Sequence, residues 1–150
     1  MIYEKKSDKL LLAINTYQSL SKNSGLLPKL RNAIVKLRIE FWSIIAGCDI
    51  NRDAKIPVST RLPHPTGVVV HRDAIIGENC LIMQQVTLGQ TAEQGAPTLG
   101  DNVYLGAGSK ILGKVTIGSN ARVGANAVVL CDVPENATAV GIPARVITRS

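Results

Sequence analysis

The chain has 150 residues, a formal net charge of +6 and 45% hydrophobic residues, yet aromatics make up only 3%. That length suits one domain with a real core, and a core built from Val, Ile, Leu and Ala alongside 13 glycines fills narrow, regular spaces. Three cysteines, Cys48, Cys80 and Cys131, are too few and too scattered for a disulfide framework or a zinc site. The opening MIYEKKSDK leads into no signal-peptide core, and no apolar run approaches the ~20 residues of a membrane span. The expected setting is therefore reducing and cytoplasmic.

The charge is uneven: residues 1–48 hold eight Lys/Arg against three Asp/Glu, whereas residues 49–150 hold nine against eight. The basic character belongs to the first 48 residues. No nucleic-acid-binding motif accompanies it, so no nucleic acid is expected as a partner. Leu10, Leu11, Ile14, Tyr17 and Leu20 fall at helical spacing and predict a helix over 7–22, ended by SKNSG (21–25). Pro28 suits the first turn of a second helix running to about Ala46, with an apolar stripe of Leu30, Ile34, Leu37, Phe41 and Ile44 or Ile45. Lys29, Arg31, Lys36 and Arg38 make that helix basic. Packing on the main domain or on a neighbouring subunit explains it. So does contact with an anionic membrane surface at the inner face, or with a charged lipid-linked substrate.

From residue 50 the helical period gives way to a period of six. Aliphatics recur at Ile50, Ile56, Leu62 and Val68; after a two-residue offset at Val70, Ile76, Ile82 and Leu88; then at Leu99, Leu105, Ile111, Ile117, Val123 and Val129. Four positions after nearly every one stands a small or β-branched residue: Ala54, Thr60, Thr66, Ala74, Cys80, Val86, Val103, Ser109, Val115, Ala121, Ala127 and Val133. Half-buried strands alternate with period two and no helix holds period six, so this is a mainly β chain of hexapeptide repeats forming a parallel β-helix. Each hexad supplies one short strand and one corner, and three hexads close a triangular coil. The expected organisation is a helical segment over 1–48, the repeat over 49–131 and a cap or tail over 132–150. Between Leu88 and Leu99 the spacing is eleven, which expels five extra residues into a loop over 89–98. Solenoid function concentrates at such breaks in step.

The runs HPTGVVVHRDAIIGENCLIMQQVTLG (64–89), GAGSKILGKVTIGSNARVGANAVV (106–129) and VGIPARVI (140–147) resemble the serine acetyltransferase branch of the left-handed β-helix acyltransferases. The resemblance covers about residues 45–149. It implies a left-handed coil, which periodicity cannot give and which departs from the right-handed crossover preference. It also implies a homotrimer with sites between subunits and acetyl-CoA as co-substrate, with no metal. His64 matches the family's catalytic histidine and Asp49 the carboxylate that orients it, fifteen residues upstream and so close to one coil away. A hydroxyl acceptor needs such a base, and the aspartate would fix its tautomer. By position Gly89, Thr91, Ala107 and Ala125 would line the CoA path, with Arg122 or Arg145 at the nucleotide phosphates. His71 reads as a solvated corner residue, Cys80 as packing, and Cys48 and Cys131 as poor nucleophiles.

The chain departs from that family where serine is held. The family's aspartate before the histidine is Pro63, and its Arg-His pair before a proline is Gly95-Ala96 before Pro97. A carboxylate deprived of its bidentate partner binds poorly. The expected activity is therefore O-acetylation of a saccharide hydroxyl in surface-polysaccharide biosynthesis, closest to the polysaccharide O-acetyltransferases. Serine O-acetylation for cysteine biosynthesis is the alternative, and a non-catalytic hexapeptide scaffold the alternative of another class.

Overall fold

A computed structural model of the chain describes residues 2–20, 26–92 and 95–147; SKNSG (21–25) lies outside them. Two helices, α1 (Ile2–Leu20) and α2 (Leu26–Ala46), precede the repeat. Eleven short strands then wind parallel coils: β1 (Asp49–Ile50), β2 (Val69–Val70), β3 (Ile75–Ile76), β4 (Leu81–Ile82), β5 (Thr87–Gly89), β6 (Thr98–Leu99), β7 (Tyr104–Leu105), β8 (Lys110–Leu112), β9 (Thr116–Ile117), β10 (Arg122–Val123) and β11 (Val128–Val129). They stack into three sheets, the faces of a triangular prism: β1-β2-β5-β8-β11 on the first, β3-β6-β9 on the second, and β4-β7-β10 on the third. A terminal antiparallel hairpin, β12 (Thr138–Gly141) and β13 (Ala144–Ile147), extends the third face through β12 beside β10.

The hexad dictates this shape because each strand has room for one inward side chain. Ile50, Val70, Leu88, Ile111 and Val129 stack beneath the first face. Ile76, Leu99 and Ile117 do so beneath the second, and Ile82, Leu105 and Val123 beneath the third. Nearly all are fully buried. The corners hold the small residues; Cys80, Val103, Ala121 and Ala137 form one such column, their carbonyls accepting from the N–H groups of Arg61, Leu81, Tyr104 and Arg122 in the coil before. Asn79, Asn102, Asn120 and Asn136 make the turns at that corner with φ between 56 and 60°. Asparagine tolerates this left-handed conformation where most residues do not.

Coil length follows from register. Val69 stands over Asp49, Thr87 over Val69, Lys110 over Thr87 and Val128 over Lys110, so successive coils take 20, 18, 23 and 18 residues. The 23-residue coil carries the expected loop, between β5 and β6. The two extra residues of the 20-residue coil enter between Leu62 and Val68, and they change one assignment. Val68 is no strand aliphatic: it takes the corner place occupied above by Val86, Ser109 and Ala127, while Thr66 is exposed.

At the N-terminal end α1 covers the open first coil. Leu10, Leu11 and Ile14 are fully buried there. Ser7 Oγ donates to the Leu62 carbonyl at 3.1 Å, Asn15 Nδ2 to that of Ile56 at 3.0 Å, and Gln18 Nε2 to those of Arg52 and Ala54 at 2.8 Å. Helix α2 packs on α1, with Lys9 Nζ 4.7 Å from the Trp42 ring and Lys36 Nζ 5.7 Å from that of Tyr17. The seam it buries is Val35, Ile39 and Ala46 with Trp42, not the expected stripe: Leu30, Ile34, Leu37, Phe41, Ile44 and Ile45 are exposed. The helix carries apolar residues on two adjacent sectors, and α1 covers the one holding Trp42.

The coils approach most closely at their glycines. A Cβ on Gly118 would lie 2.4 Å from the backbone nitrogen of Glu135, a clash that no rotamer change relieves. Gly118→Ala should therefore cost about 1–3 kcal/mol of unfolding free energy, measured by urea titration; an unchanged midpoint would contradict the close stacking.

Candidate active site

The lengthened corner is where His64 sits. Elsewhere the turn from third to first face takes three residues, as in Met83–Gln84–Gln85 or Gly106–Ala107–Gly108; here Pro63, His64, Pro65, Thr66 and Gly67 fill it. The corner is pinned below and above. Gly67 N–H donates to the Gly47 carbonyl at 2.6 Å, Val68 N–H to that of Pro65 at 3.0 Å, and Gln85 N–H to that of Thr66 at 3.0 Å. Two prolines and these bonds hold the loop rigid while leaving the His64 side chain exposed.

Asp49 opens β1 directly beneath Val69, at the edge where this corner joins the first face. Its N–H donates to the Val68 carbonyl at 2.8 Å. Asp49 and His64 thus share one edge of the prism. Asp49 lines two clefts there. One, of about 420 Å³, lies between the end of α2 and the corner, with Glu40, Ser43, Cys48 and Gly67 on its walls. The other, about 210 Å³, runs across the first face to Asn51, His71, Arg72 and Gly89.

Ala107 and Ala125 stack on the same edge as His64, with Asn126 N–H donating to the Ala107 carbonyl at 2.8 Å and Gly108 N–H to that of Gln84 at 2.8 Å. Above the glutamines that edge narrows to Gly106, Ala107 and Gly108, then Gly124, Ala125 and the exposed Asn126, a strip with few side chains. Gly89 and Thr91 do not join it. Gly89 precedes Ala107 by eighteen residues, but five of those belong to the loop, so it falls at the far side of the first face, beside Leu112. There Thr91 meets the next coil where Gly113 turns with φ +85°, and a cleft of about 450 Å³ opens between Thr91, Ala92, Lys114 and Leu130. Arg122 and Arg145 lie on the third face, exposed; the Arg122 guanidinium stacks 4.6 Å from the Tyr104 ring. One chain therefore gathers His64, Asp49, Ala107 and Ala125 at one edge; Gly89 lies across the first face at the far end of the Asp49 cleft, and Arg122 and Arg145 lie on the third face.

Two residues of these surfaces escape a reading by motif, and a third, His71, is half-buried in a cleft rather than the solvated corner residue expected. Gln84 has a buried Oε1 with no protein partner on the His64 edge, and Lys110 Nζ reaches the Gln85 carbonyl at 2.5 Å just above. His71 belongs to the Asp49 cleft; its Nδ1 accepts from the Asp73 N–H at 3.3 Å. Counting along the coil columns, with the 20-residue first coil allowed for, would have found all three. Among the described residues no group of three or more His, Cys, Asp or Glu is placed to hold a metal ion.

The comparisons with known proteins agree with this architecture. The family Bacterial transferase hexapeptide (six repeats) matches residues 96–131. A serine acetyltransferase of Synechococcus elongatus is 48% identical over 120 residues, 78% of this chain and 49% of that protein. The structure of Neisseria gonorrhoeae serine acetyltransferase in complex with serine superposes with a TM-score of 0.78 at 34% identity, over 93% of this chain and 55% of that one. A serine acetyltransferase in complex with CoA does so with a TM-score of 0.73 at 38% identity, over 90% and 55%. The chain spans about half the length of these relatives. They are serine acetyltransferases rather than the polysaccharide O-acetyltransferases expected from the sequence, which corrects the finer part of that expectation.

The site's environment also sorts the thiols. Burial, then the neighbouring Asp49 charge, pushes the Cys48 thiol up to about 11, and burial raises that of Cys80; Cys131 is exposed. At pH 8 only about one Cys48 in a thousand is a thiolate. Iodoacetamide at that pH should label Cys131 first, as read by peptide mass mapping; fast labelling of Cys48 would contradict its burial. The hexad, the triangular coil and the solved relatives together place the chain, as a left-handed β-helix, in the hexapeptide-repeat acyltransferase superfamily.

Proposed function

We propose that the chain is an acetyl-CoA-dependent O-acetyltransferase in which His64 is the base and L-serine the acceptor. The observation that carries the reading is the convergence of His64 and Asp49 on one edge of a coil whose solved relatives include complexes with serine and with CoA. His64 takes the hydroxyl proton as the oxygen attacks the thioester carbonyl. The tetrahedral oxyanion then collapses, the carbon–sulfur bond breaks, and the imidazolium returns its proton to the departing CoA sulfur. Asp49 holds the imidazole in the required tautomer and stabilises its charged form.

The side-chain-poor strip over Ala107 and Ala125 leaves room for the extended CoA arm, with Arg122 or Arg145 toward its phosphates. Gly89 and Thr91 lie a whole face away, so in this reading they complete the path from a neighbouring copy, as a cyclic homotrimer allows. Two positions favour a second acceptor, a saccharide hydroxyl. Pro63 and Gly95–Ala96 supply neither the carboxylate nor the guanidinium that an amino acid's ammonium and carboxylate require.

One assay separates the readings: CoA thiol release from acetyl-CoA with L-serine against a panel of mono- and oligosaccharides. Turnover with serine supports the first, turnover with a sugar alone replaces it with the second, and turnover with none of them leaves a scaffold. In the active case His64→Ala should lower kcat about 100- to 10,000-fold while CoA affinity, by calorimetry, stays unchanged. Asp49→Asn should lose less. An active His64→Ala protein would remove the histidine from the mechanism.

A further inference from the structure

Helix α2 has two apolar sectors, and the fold uses one. Leu30, Ile34, Leu37, Phe41, Ile44 and Ile45 remain between 41 and 78% exposed. At about 100° per residue they occupy a single sector some 100° wide; Ile44, at its C-terminal end, borders the cleft toward Gly67 and Val69, and α1 covers none of it. A continuous exposed apolar stripe of this size marks a contact surface. Arg31 and Arg38, both exposed, project together along one flank of it, between the stripe and the buried seam. Lys36 and Glu40 lie on the other flank.

The charges choose between occupants. Two copies pairing antiparallel through this stripe would set the Arg31–Arg38 flank of one against the same flank of the other. No acid lies on that flank, and residues 1–48 as a whole carry eight basic against three acidic side chains. Like charges facing each other oppose that pairing. An anionic surface reverses the sign. The apolar stripe would enter the boundary between headgroups and acyl chains while Arg31 and Arg38 meet the headgroup phosphates. Helix α1 ties to the first coil through Ser7, Asn15 and Gln18 and packs on the other apolar sector of α2, beyond Arg31 and Arg38, so it leaves the stripe uncovered. No helix among the described residues is long and apolar enough to cross a membrane, which leaves an in-plane position. We propose that α2 is a peripheral anchor that lies flat on an anionic lipid bilayer.

The test is co-flotation of the full chain with vesicles of phosphatidylcholine alone and with one part phosphatidylglycerol to two of phosphatidylcholine. The protein should bind the anionic vesicles and not the neutral ones, and lose binding as salt is raised. Arg31→Gln and Arg38→Gln should each weaken the partition about fivefold. Leu30→Asp with Leu37→Asp should abolish it, with the thermal melt and far-ultraviolet dichroism unchanged because those side chains are 63 and 70% exposed. Failure to bind anionic vesicles at low salt would overturn the proposal. So would a lipid-free protein whose solution mass falls in sedimentation when Leu37→Asp is introduced, since a second copy would then cover the stripe.

Discussion

The inside of each coil is bounded by three strands of two or three residues, and that width governs the rest of the molecule. One aliphatic side chain per strand fills it, and a small residue at each corner lets the chain turn. Interiors packed to crystal density leave no room for additional side chains, so the columns under the three faces run without a large aromatic. The same tightness brings backbones together at Gly100, Gly106 and Gly118, where any Cβ would meet the neighbouring turn below 3 Å. An extra residue in such a coil can go only outward.

Both places where residues go outward are places where chemistry can happen. The two surplus residues of the first coil leave at the third-to-first corner and carry His64 clear of the core, between prolines and under bonds to Gly47 and Gln85. Asp49 needs no insertion, because it is the outward member of a strand pair whose inward member is Ile50. The five surplus residues of the third coil leave at the next edge. There Gly95 packs against Lys114 and Thr91 against Gly113, so the described parts of the loop lean on the coil above. Scaffold and site separate along the sequence because every inward position is already committed.

Period six was legible because the repeat reduces each strand to one obligatory aliphatic, and the two breaks in step followed from the same count. His64 and Asp49 came from motif likeness, and the coil brings them to one edge. Two readings went astray for one kind of reason: each needed to know which neighbour a residue meets. Val68 looks like a strand aliphatic until the length of its corner is known. Leu30, Ile34, Leu37 and Phe41 look like a buried stripe because spacing shows that a sector is apolar, not which of two apolar sectors the partner helix takes. The hand of the coil is of the same kind, since periodicity is indifferent to it. The acceptor depends on the few side chains that reach into the clefts, and at Pro63 and Gly95–Ala96 this chain differs from the pattern it otherwise resembles.

A solenoid has two ends, and each exposes a layer of aliphatics that no further coil covers. The C-terminal end meets this with β12 and β13, where the chain reverses and pairs antiparallel; Ala139, in β12, is fully buried over Val123. The N-terminal end meets it with a helix, which matches the triangular opening poorly and so needs side-chain bonds from Ser7, Asn15 and Gln18 to the free carbonyls of the first coil. A single amphipathic helix over that opening would be marginal alone, and α2 supports it by burying Val35, Ile39 and Trp42 against it. That support requires only one sector of α2. Capping therefore accounts for the buried seam and not for six large apolar residues on the sector beside it. A helix selected only to brace α1 would gain solubility from polar residues there, so the retained stripe and its arginine flank answer to a contact outside the coil.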